Sequence, residues 1–443
     1  MAHDTIYDFA IMGGGVVGCA VAFEASRSPE IQSFVLLEKY AAVAQVSSNV
    51  LANAETLHQG AKETNFPFVK ALEMKRRSDQ LIEYLVTRGK GVYRKMPSMV
   101  IGVTPEEVQK LEARYEMLKP YFPDLEFIRG ERIGAIEPKV MEGRNEEEKK
   151  RIVALYSMGY AVDYEQLAQS FMREAAEEAE VLGKTFDVFF RTKARTITRG
   201  DDGLYVITTN RGTFRAKVIV VCAGPYSLGF AQKLGHPKAL EYAILPAAGS
   251  FYYIPRKVLN GKVYTVQDDH IPFAAPHADR AVYNEHETRL GPTTIILPFF
   301  ERYHFSTLLD FIRMGLVSPG AYMRTVCRIL LDARFRLFEL KNILYNIPWL
   351  GKYLFMRWAA KKIIPTIRMR DLHFGRGMGG IRPQLLNLVT RELEMGIGKF
   401  VGEFGIFNVT PSPGASSCMG NAIEDIALVE SLLDEWERRY GRR

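Results

Sequence analysis

Tyr7-Asp-Phe-Ala-Ile-Met-Gly13-Gly-Gly15-Val-Val-Gly18, followed by the apolar run Phe34-Val-Leu-Leu37 and then Glu38, decides the fold of this chain. Phe9 to Met12 reads as a buried parallel strand. Gly13 permits the tight turn after it, Gly15 lets backbone come close to a pyrophosphate, and Gly18 lets the next helix pack against the sheet. That helix, Val16 to about Ser26, directs its positive N-terminus at phosphate. Phe34 to Leu37 is the second strand. Glu38 stands about 20 residues past the glycines, where an acidic side chain takes ribose hydroxyls. A lone GxGxxG is weak evidence, but strand, turn, helix, strand and terminal acid in register point to an adenine dinucleotide.

The 443 residues leave room for two or three domains of about 150 each. The four cysteines, Cys19, Cys222, Cys327 and Cys418, are scattered, with no CxxC pair. That argues against a disulfide framework or a zinc site and predicts a reducing, cytoplasmic setting. The first strand begins almost at once, so no leader peptide is expected. Net charge is +7, and the excess is uneven. From Tyr303 to Arg370 run twelve cations, among them Arg313, Arg324, Arg328, Arg334, Arg336, Lys352, Arg357 and Lys361, opposed only by Asp310, Asp332 and Glu339. Between them stand Phe305, Leu309, Leu331, Phe335, Trp349 and Trp358. No run approaches the ~20 uncharged residues of a membrane span. Basic amphipathic helices of this kind either lie in a membrane interface or pack as a helical subdomain on the core, and both readings stay open. No nucleic-acid partner is expected, because no recognition module accompanies the charge.

Beyond Glu38 comes a Ser/Asn-rich loop, Val46 to Gly60, then helical patterns over Phe68 to Thr87 and Pro105 to Leu118 around a strand-like stretch, Val92 to Val103. Glu142 to Lys150 is a charge run expected on a solvated loop or helix face. Asp163 is placed to cap an amphipathic helix reaching Leu182. Val188 to Thr198 and Leu204 to Thr209, joined through Gly200-Asp-Asp-Gly203, read as a hairpin. Phe214 to Val221 is a strand running into Cys222-Ala223-Gly224, a second place where small residues let a bulky ligand approach. Pro246 to Pro298 predicts several short, proline-punctuated strands. The chain closes with a strand, Phe404 to Val409, the loop Thr410 to Cys418, and a helix from Gly420 to about Arg438. This order predicts a discontinuous α/β architecture. Residues 1–97, 155–240 and 371–443 form a Rossmann-like nucleotide-binding domain. Residues 98–154 and 241–300 form a second, substrate domain on a mixed or antiparallel sheet, and 301–370 form the basic helical block, a candidate membrane-facing subdomain.

The strand into Ala223-Gly224 and the glycine/serine loop before the last helix, added to the first unit, resemble FAD-dependent oxidoreductases of the D-amino-acid oxidase and glycerol-3-phosphate dehydrogenase type. Their nucleotide domain is of the glutathione-reductase kind. Asn53-Ala-Glu-Thr-Leu-His58-Gln-Gly-Ala-Lys-Glu-Thr-Asn65, Pro272-Phe-Ala-Ala-Pro-His277-Ala-Asp279, Thr288-Arg289-Leu-Gly-Pro, Gly379-Gly-Ile-Arg382-Pro-Gln384 and Pro411-Ser-Pro-Gly-Ala-Ser-Ser-Cys418 narrow the likeness. They resemble the shorter, bacterial-type malate:quinone oxidoreductases over nearly the whole chain, and more loosely the L-2-hydroxyglutarate dehydrogenases. The resemblance implies FAD as cofactor, held by Gly13, Gly15, Gly18, Glu38, Lys39, Ser47, Ser48, Thr56, Val188, Ala223, Gly224, Gly414, Ala415, Ser416 and Ser417. It implies oxidation of L-malate or a similar 2-hydroxy dicarboxylate, a quinone acceptor, and a peripheral place on the cytoplasmic face of the membrane. One departure bears on substrate identity: the family usually carries an acid at the position of Ala61, which Lys62 follows here.

Oxidising a 2-hydroxy acid needs a base for the hydroxyl proton and a cation for the carboxylate. Only eight histidines are present, and His58 and His277 lie in motif positions. Either suits the base, with the other polarising or binding substrate. Arg382, in Gly-Gly-Ile-Arg-Pro, matches the carboxylate-binding arginine of related oxidases, and a guanidinium fork suits a planar carboxylate. Arg289 is a candidate for the second carboxylate of a diacid. Lys62 reads as a surface charge. L-2-hydroxyglutarate oxidation is the nearest rival reading, followed by an amine oxidase of the same fold and a flavin-binding protein without turnover.

Overall fold

β1 (Ala2–Met12), α1 (Val16–Arg27) and β2 (Ser33–Leu37) form the predicted βαβ unit. The computed structural model describes residues 2–268, 271, 275–316, 318–394, 398–409 and 413–441. β1 and β2 run parallel, Phe9 beside Phe34 and Met12 beside Leu37. On its other edge β1 pairs in parallel with Thr213–Val221. Among the described residues this sheet has eight strands, continuing through Gly405–Val409 to Gly398–Val401 on one side and to Thr185–Phe189 on the other. Its central parallel segments, Phe9–Met12, Phe34–Leu37 and Val218–Val221, are apolar and buried on both faces, as a parallel sheet covered by helices requires. Ala20, Val21, Ala22 and Phe23 of α1 are fully buried against helices Tyr164–Val181 and Cys418–Tyr440. Phe23 stacks on Phe171 and meets Tyr84 edge-on. Side chains of this size contribute roughly 1.5–3 kcal/mol each when fully buried. Asp163 caps the Tyr164 helix by accepting from Glu165 N and Gln166 N, as its position predicted.

The second sheet has ten strands among the described residues and is mixed. Tyr242–Ile254 is its long central strand, antiparallel to Ile381–Asn387 on one side and to Thr288–Ile296 on the other. His277–Arg280, Lys262–Thr265, Tyr93–Gly102 and Val153–Val162 extend it, the Lys262 and Tyr93 strands pairing in parallel. The α/β nucleotide domain and the mixed second sheet agree with the expected fold class.

Several elements differ from the sequence reading. Val188 to Thr198 is not one hairpin arm. Thr185–Phe189 pairs in parallel with β2, Arg191 turns the chain at a φ of 55°, and Ala194–Arg199 then pairs antiparallel with Tyr205–Thr209. Pro246 does not end a short strand either. It lies inside Tyr242–Ile254 opposite Pro383, and its carbonyl accepts from Leu297 N on the other side, so this proline pair is one the ladder does not hydrogen-bond. Ile381–Asn387, grouped by sequence with the nucleotide domain, belongs to the second sheet. The charge run from Glu142 contains a short solvated helix, Glu146–Arg151, capped by Asn145.

The basic block has two faces. Tyr345 and Phe355 pack inward, Phe355 stacking on Tyr252 of the central strand at 4.6 Å, and Phe335 packs on Ala247. Outward, Trp349 is 83% exposed and Leu331 76%, with Phe305, Leu337 and Leu340 also exposed. Among the described residues no helix is long and apolar enough to cross a membrane.

Candidate active site

The glycine turn is built as a cradle. Gly13 has a φ of 107°, and a Cβ there would stand 2.5 Å from the Cys222 carbonyl oxygen. A Cβ on Gly18 would strike the Gly13 carbonyl, so α1 reaches the turn only because residue 18 has no side chain. Gly15, by contrast, is open, with only Ser48 Oγ near its missing Cβ. Glu38 is buried at the end of β2 and holds the turn, accepting from Gly14 N and Tyr40 N at 2.7 Å each. Each carboxylate oxygen keeps a lone pair beyond these bonds. Val16 N, at the start of α1, donates to Ser48 Oγ at 2.9 Å.

From this turn a cavity of about 670 Å³ runs past Ser47, Ser48 and Thr56 to Ala223-Gly224, Arg382 and the Gly414–Ser416 loop. Its size is that of a cofactor site. A glycine cradle, a helix N-terminus, an acid at the end of β2 and a second helix behind the far loop together fit FAD. Lys39 lines the same cavity, ion-paired to Glu301, which also accepts from Tyr226 Oη at 3.2 Å. Glu301, from the segment leading into the basic block, was not singled out by sequence.

Three expected cofactor residues lie off the cavity wall. Gly18 acts one layer back, through packing. Ser417 donates to the Gly414 carbonyl and accepts, through its own carbonyl, from Asn421 N, shaping the loop. Val188 sits in the sheet ladder beside Leu36, and the cavity is reached instead by Thr192 to Arg195 after the Arg191 turn. Within the quoted motifs, residues 272–274 and 410–412 lie outside the described residues.

His58 lines the cavity, with Nδ1 2.6 Å from Glu63 Oε1. Its backbone N donates to Ser416 Oγ at 2.9 Å, which ties the first loop to the C-terminal one. Tyr164 Oη lies 3.2 Å from the same Ser416 hydroxyl. Burial raises the Glu63 pKa, but the hydrogen bond and charge of His58, with Lys62 and Arg114, outweigh it and leave that pKa below the ordinary value. Arg382 is half-buried in the cavity lining, and among the described residues its guanidinium has no ion pair or hydrogen bond. Burial lowers its pKa with no carboxylate to oppose the effect.

The other two candidates sit behind this wall. Arg289 is 1% exposed, and its Nη2 donates to Glu55 at 2.7 Å and Asp279 at 2.9 Å. Burial works against its charge, and these two carboxylates more than offset it. A guanidinium so engaged is not free for a second substrate carboxylate, which corrects the expectation. Lys262 completes the cluster, donating to Asp279 at 2.7 Å and to the Ala54 carbonyl at 2.9 Å. His277 is buried beside it and off the cavity lining. Burial pushes its pKa down to about 3, against the raising effect of Asp279, so the ring is neutral. Lys62 is not the surface charge expected. It is half-buried, its ammonium donates to Ser157 Oγ at 2.8 Å, and burial brings its pKa to about 8. Glu63, Glu55 and Lys262 escaped the sequence reading. For Glu63 the signal was present, an acid five residues after the motif histidine.

The comparisons agree with this geometry. A model of the family described as FAD dependent oxidoreductase matches residues 8–387. A malate:quinone oxidoreductase of Helicobacter pylori is 35% identical over 97% of this chain and 95% of its own length. The human mitochondrial L-2-hydroxyglutarate dehydrogenase is more distant, 27% identical over 99% of this chain and 90% of its own. Among solved structures, an FAD-bound L-alpha-glycerophosphate oxidase from Mycoplasma pneumoniae superposes with a TM-score of 0.64 at 17% identity, covering 96% of this chain and 95% of that one. With a glycine cradle, an FAD-sized cavity and full-length similarity all in agreement, the chain belongs to the FAD-dependent oxidoreductase family and, within it, to the malate:quinone oxidoreductases.

Proposed function

We propose that this protein oxidises L-malate to oxaloacetate and passes the electrons to a membrane quinone. The observation that carries the chemistry is one cavity lined by both His58, backed by Glu63, and Arg382, a cation that no carboxylate neutralises among the described residues. The substrate and acceptor come from the full-length relatives, whose names specify both. Arg382 takes the carboxylate next to the hydroxyl carbon through its planar fork. That leaves the hydroxyl to His58, since imidazole accepts protons at neutral pH. The base is His58 and not His277, because burial denies His277 the charged form that a base acquires. FAD, when bound along the glycine turn and the C-terminal loop, supplies the acceptor for the hydride that leaves carbon 2.

The exposed face of the basic block docks the enzyme peripherally on anionic lipid of the cytoplasmic leaflet, where quinone is available. Exposed Trp349 and Leu331 amid arginines support this reading. Anaerobic mixing with L-malate should bleach the flavin rapidly, and a quinone analogue should restore it. L-2-hydroxyglutarate has one more methylene, a difference a pocket discriminates by about 1–3 kcal/mol, so it should be roughly 10- to 200-fold poorer in kcat/KM. Preferential reduction by hydroxyglutarate would move the substrate, and a flavin that neither acid reduces would sink the proposal.

A further inference from the structure

We propose that Glu63 is the positioning residue of the catalytic base, fixing which nitrogen of His58 faces substrate and stabilising the proton that the ring gains. The inference rests on the assignment of His58 as base. Glu63 is buried, and its two oxygens are committed in different directions: Oε1 to His58 Nδ1 at 2.6 Å, Oε2 to Gly60 N at 2.8 Å. The loop carrying both residues is clamped from the second domain by Arg114. Its guanidinium donates to the carbonyls of Gly60, Ala61 and Phe66 at 2.7 to 2.9 Å.

A carboxylate can only accept, so the contact requires the proton on Nδ1. Nε2 then carries the lone pair, and it has no hydrogen bond among the described residues while the ring lines the cavity. In the step assigned to His58, the substrate O–H bond breaks and an Nε2–H bond forms. The imidazolium so made lies against an ionised carboxylate, which stabilises it without itself taking the proton. The charged and titratable groups around Glu63 are His58, Lys62 and Arg114, with Tyr264 beyond them. The cations hold Glu63 in its ionised form, as its lowered pKa reflects.

Glu63→Gln tests this, because the amide oxygen can still accept from one backbone or ring N–H while the charge is gone. FAD content and KM for malate should stay near wild type. The rate of flavin reduction should fall about 100-fold or more, on the scale of a lost general base. The acid limb of the kcat/KM profile should also move, because the variant lacks the carboxylate charge 2.6 Å from the ring nitrogen. His58→Gln separates the two assignments. If it reduces flavin at the wild-type rate, His58 is not the base and both fall. If it is inactive while E63Q keeps the wild-type rate and acid limb, only the role of Glu63 falls. Should E63Q lose FAD, Glu63→Asp decides: retaining the charge should keep the acid limb in place, and a displaced limb would overturn the proposal.

Discussion

Arg382 offers the sharpest test of the site, because its removal should harm activity while sparing the fold. It stands half-buried in the cavity wall without a carboxylate or hydrogen-bond acceptor among the described residues. In the free protein its charge is therefore a liability, and Arg382→Met should leave the melting temperature unchanged or raise it. On the proposed assignment the same guanidinium makes two charge-assisted hydrogen bonds to the substrate carboxylate, each contributing about 1.5–3 kcal/mol. Losing both costs about 3–6 kcal/mol, or roughly 10²–10⁴-fold in kcat/KM. Arg382→Lys keeps the charge but not the fork, so losing one such bond predicts roughly 10- to 150-fold. The assay is stopped-flow reduction of bound flavin by L-malate, with FAD content and a thermal melt run in parallel. A kcat/KM within threefold of wild type for R382M would refute the carboxylate assignment. A large drop in melting temperature would show that the arginine has a protein partner after all.

Arg289→Met should behave in the opposite way, losing about 3–5 kcal/mol of stability because Glu55 and Asp279 are left buried and unpaired. A raised KM at unchanged denaturant midpoint would instead put Arg289 on the substrate. His277 has a folded pKa of about 3 against an ordinary 6.5, so between those values only the unfolded chain takes the proton and stability falls as pH drops. Urea melts from pH 7 to pH 4 should show a shallower decline for His277→Gln, and equal slopes would remove His277 from the acid limb. Replacing exposed Arg324, Arg328 and Arg334 with Glu should weaken partition onto anionic vesicles by about a hundredfold or more, each lost attraction being worth about 1 kcal/mol. Malate reduction of the flavin in solution should not change, and undiminished flotation would move the docking face elsewhere.

The nucleotide unit was legible because its signals are local. Turn, helix start and terminal acid lie within Gly13 to Glu38, and each residue's role depends on neighbours a few positions away. The second sheet was less so. Ile381–Asn387 finds its partner at Tyr242–Ile254, across more than a hundred residues, and nothing in its own apolar run says which sheet it completes. Val188 failed for a related reason. Its strand was visible, but the turn at Arg191, a non-glycine residue at positive φ, was not, so the cofactor contact fell a few residues short. The basic block exposed the limit of pattern reading. Its alternating cations and aromatics satisfied two physical readings, and the helices pack Phe355 inward on the core while Trp349 stands exposed.

Within the site, residue type was readable and residue role was not. His58 and His277 both sat in motif positions, and Arg289 and Arg382 were both plausible carboxylate binders. What separates each pair is the charge facing it. His58 lines the cavity with Glu63 against its Nδ1, whereas His277 is packed off the cavity where burial outweighs Asp279. Arg289 is enclosed by two carboxylates and Arg382, among the described residues, by none. Those carboxylates come from Glu55, in the first loop, and Asp279, in the second sheet, so the cluster also pins the cavity loop Ala52 to Thr56 from behind. Arg382 lines the cavity with no carboxylate against it among the described residues, while Arg289 behind it is neutralised by two. The spare positive charge thus stands at the cavity wall, where a hydroxy acid would meet it.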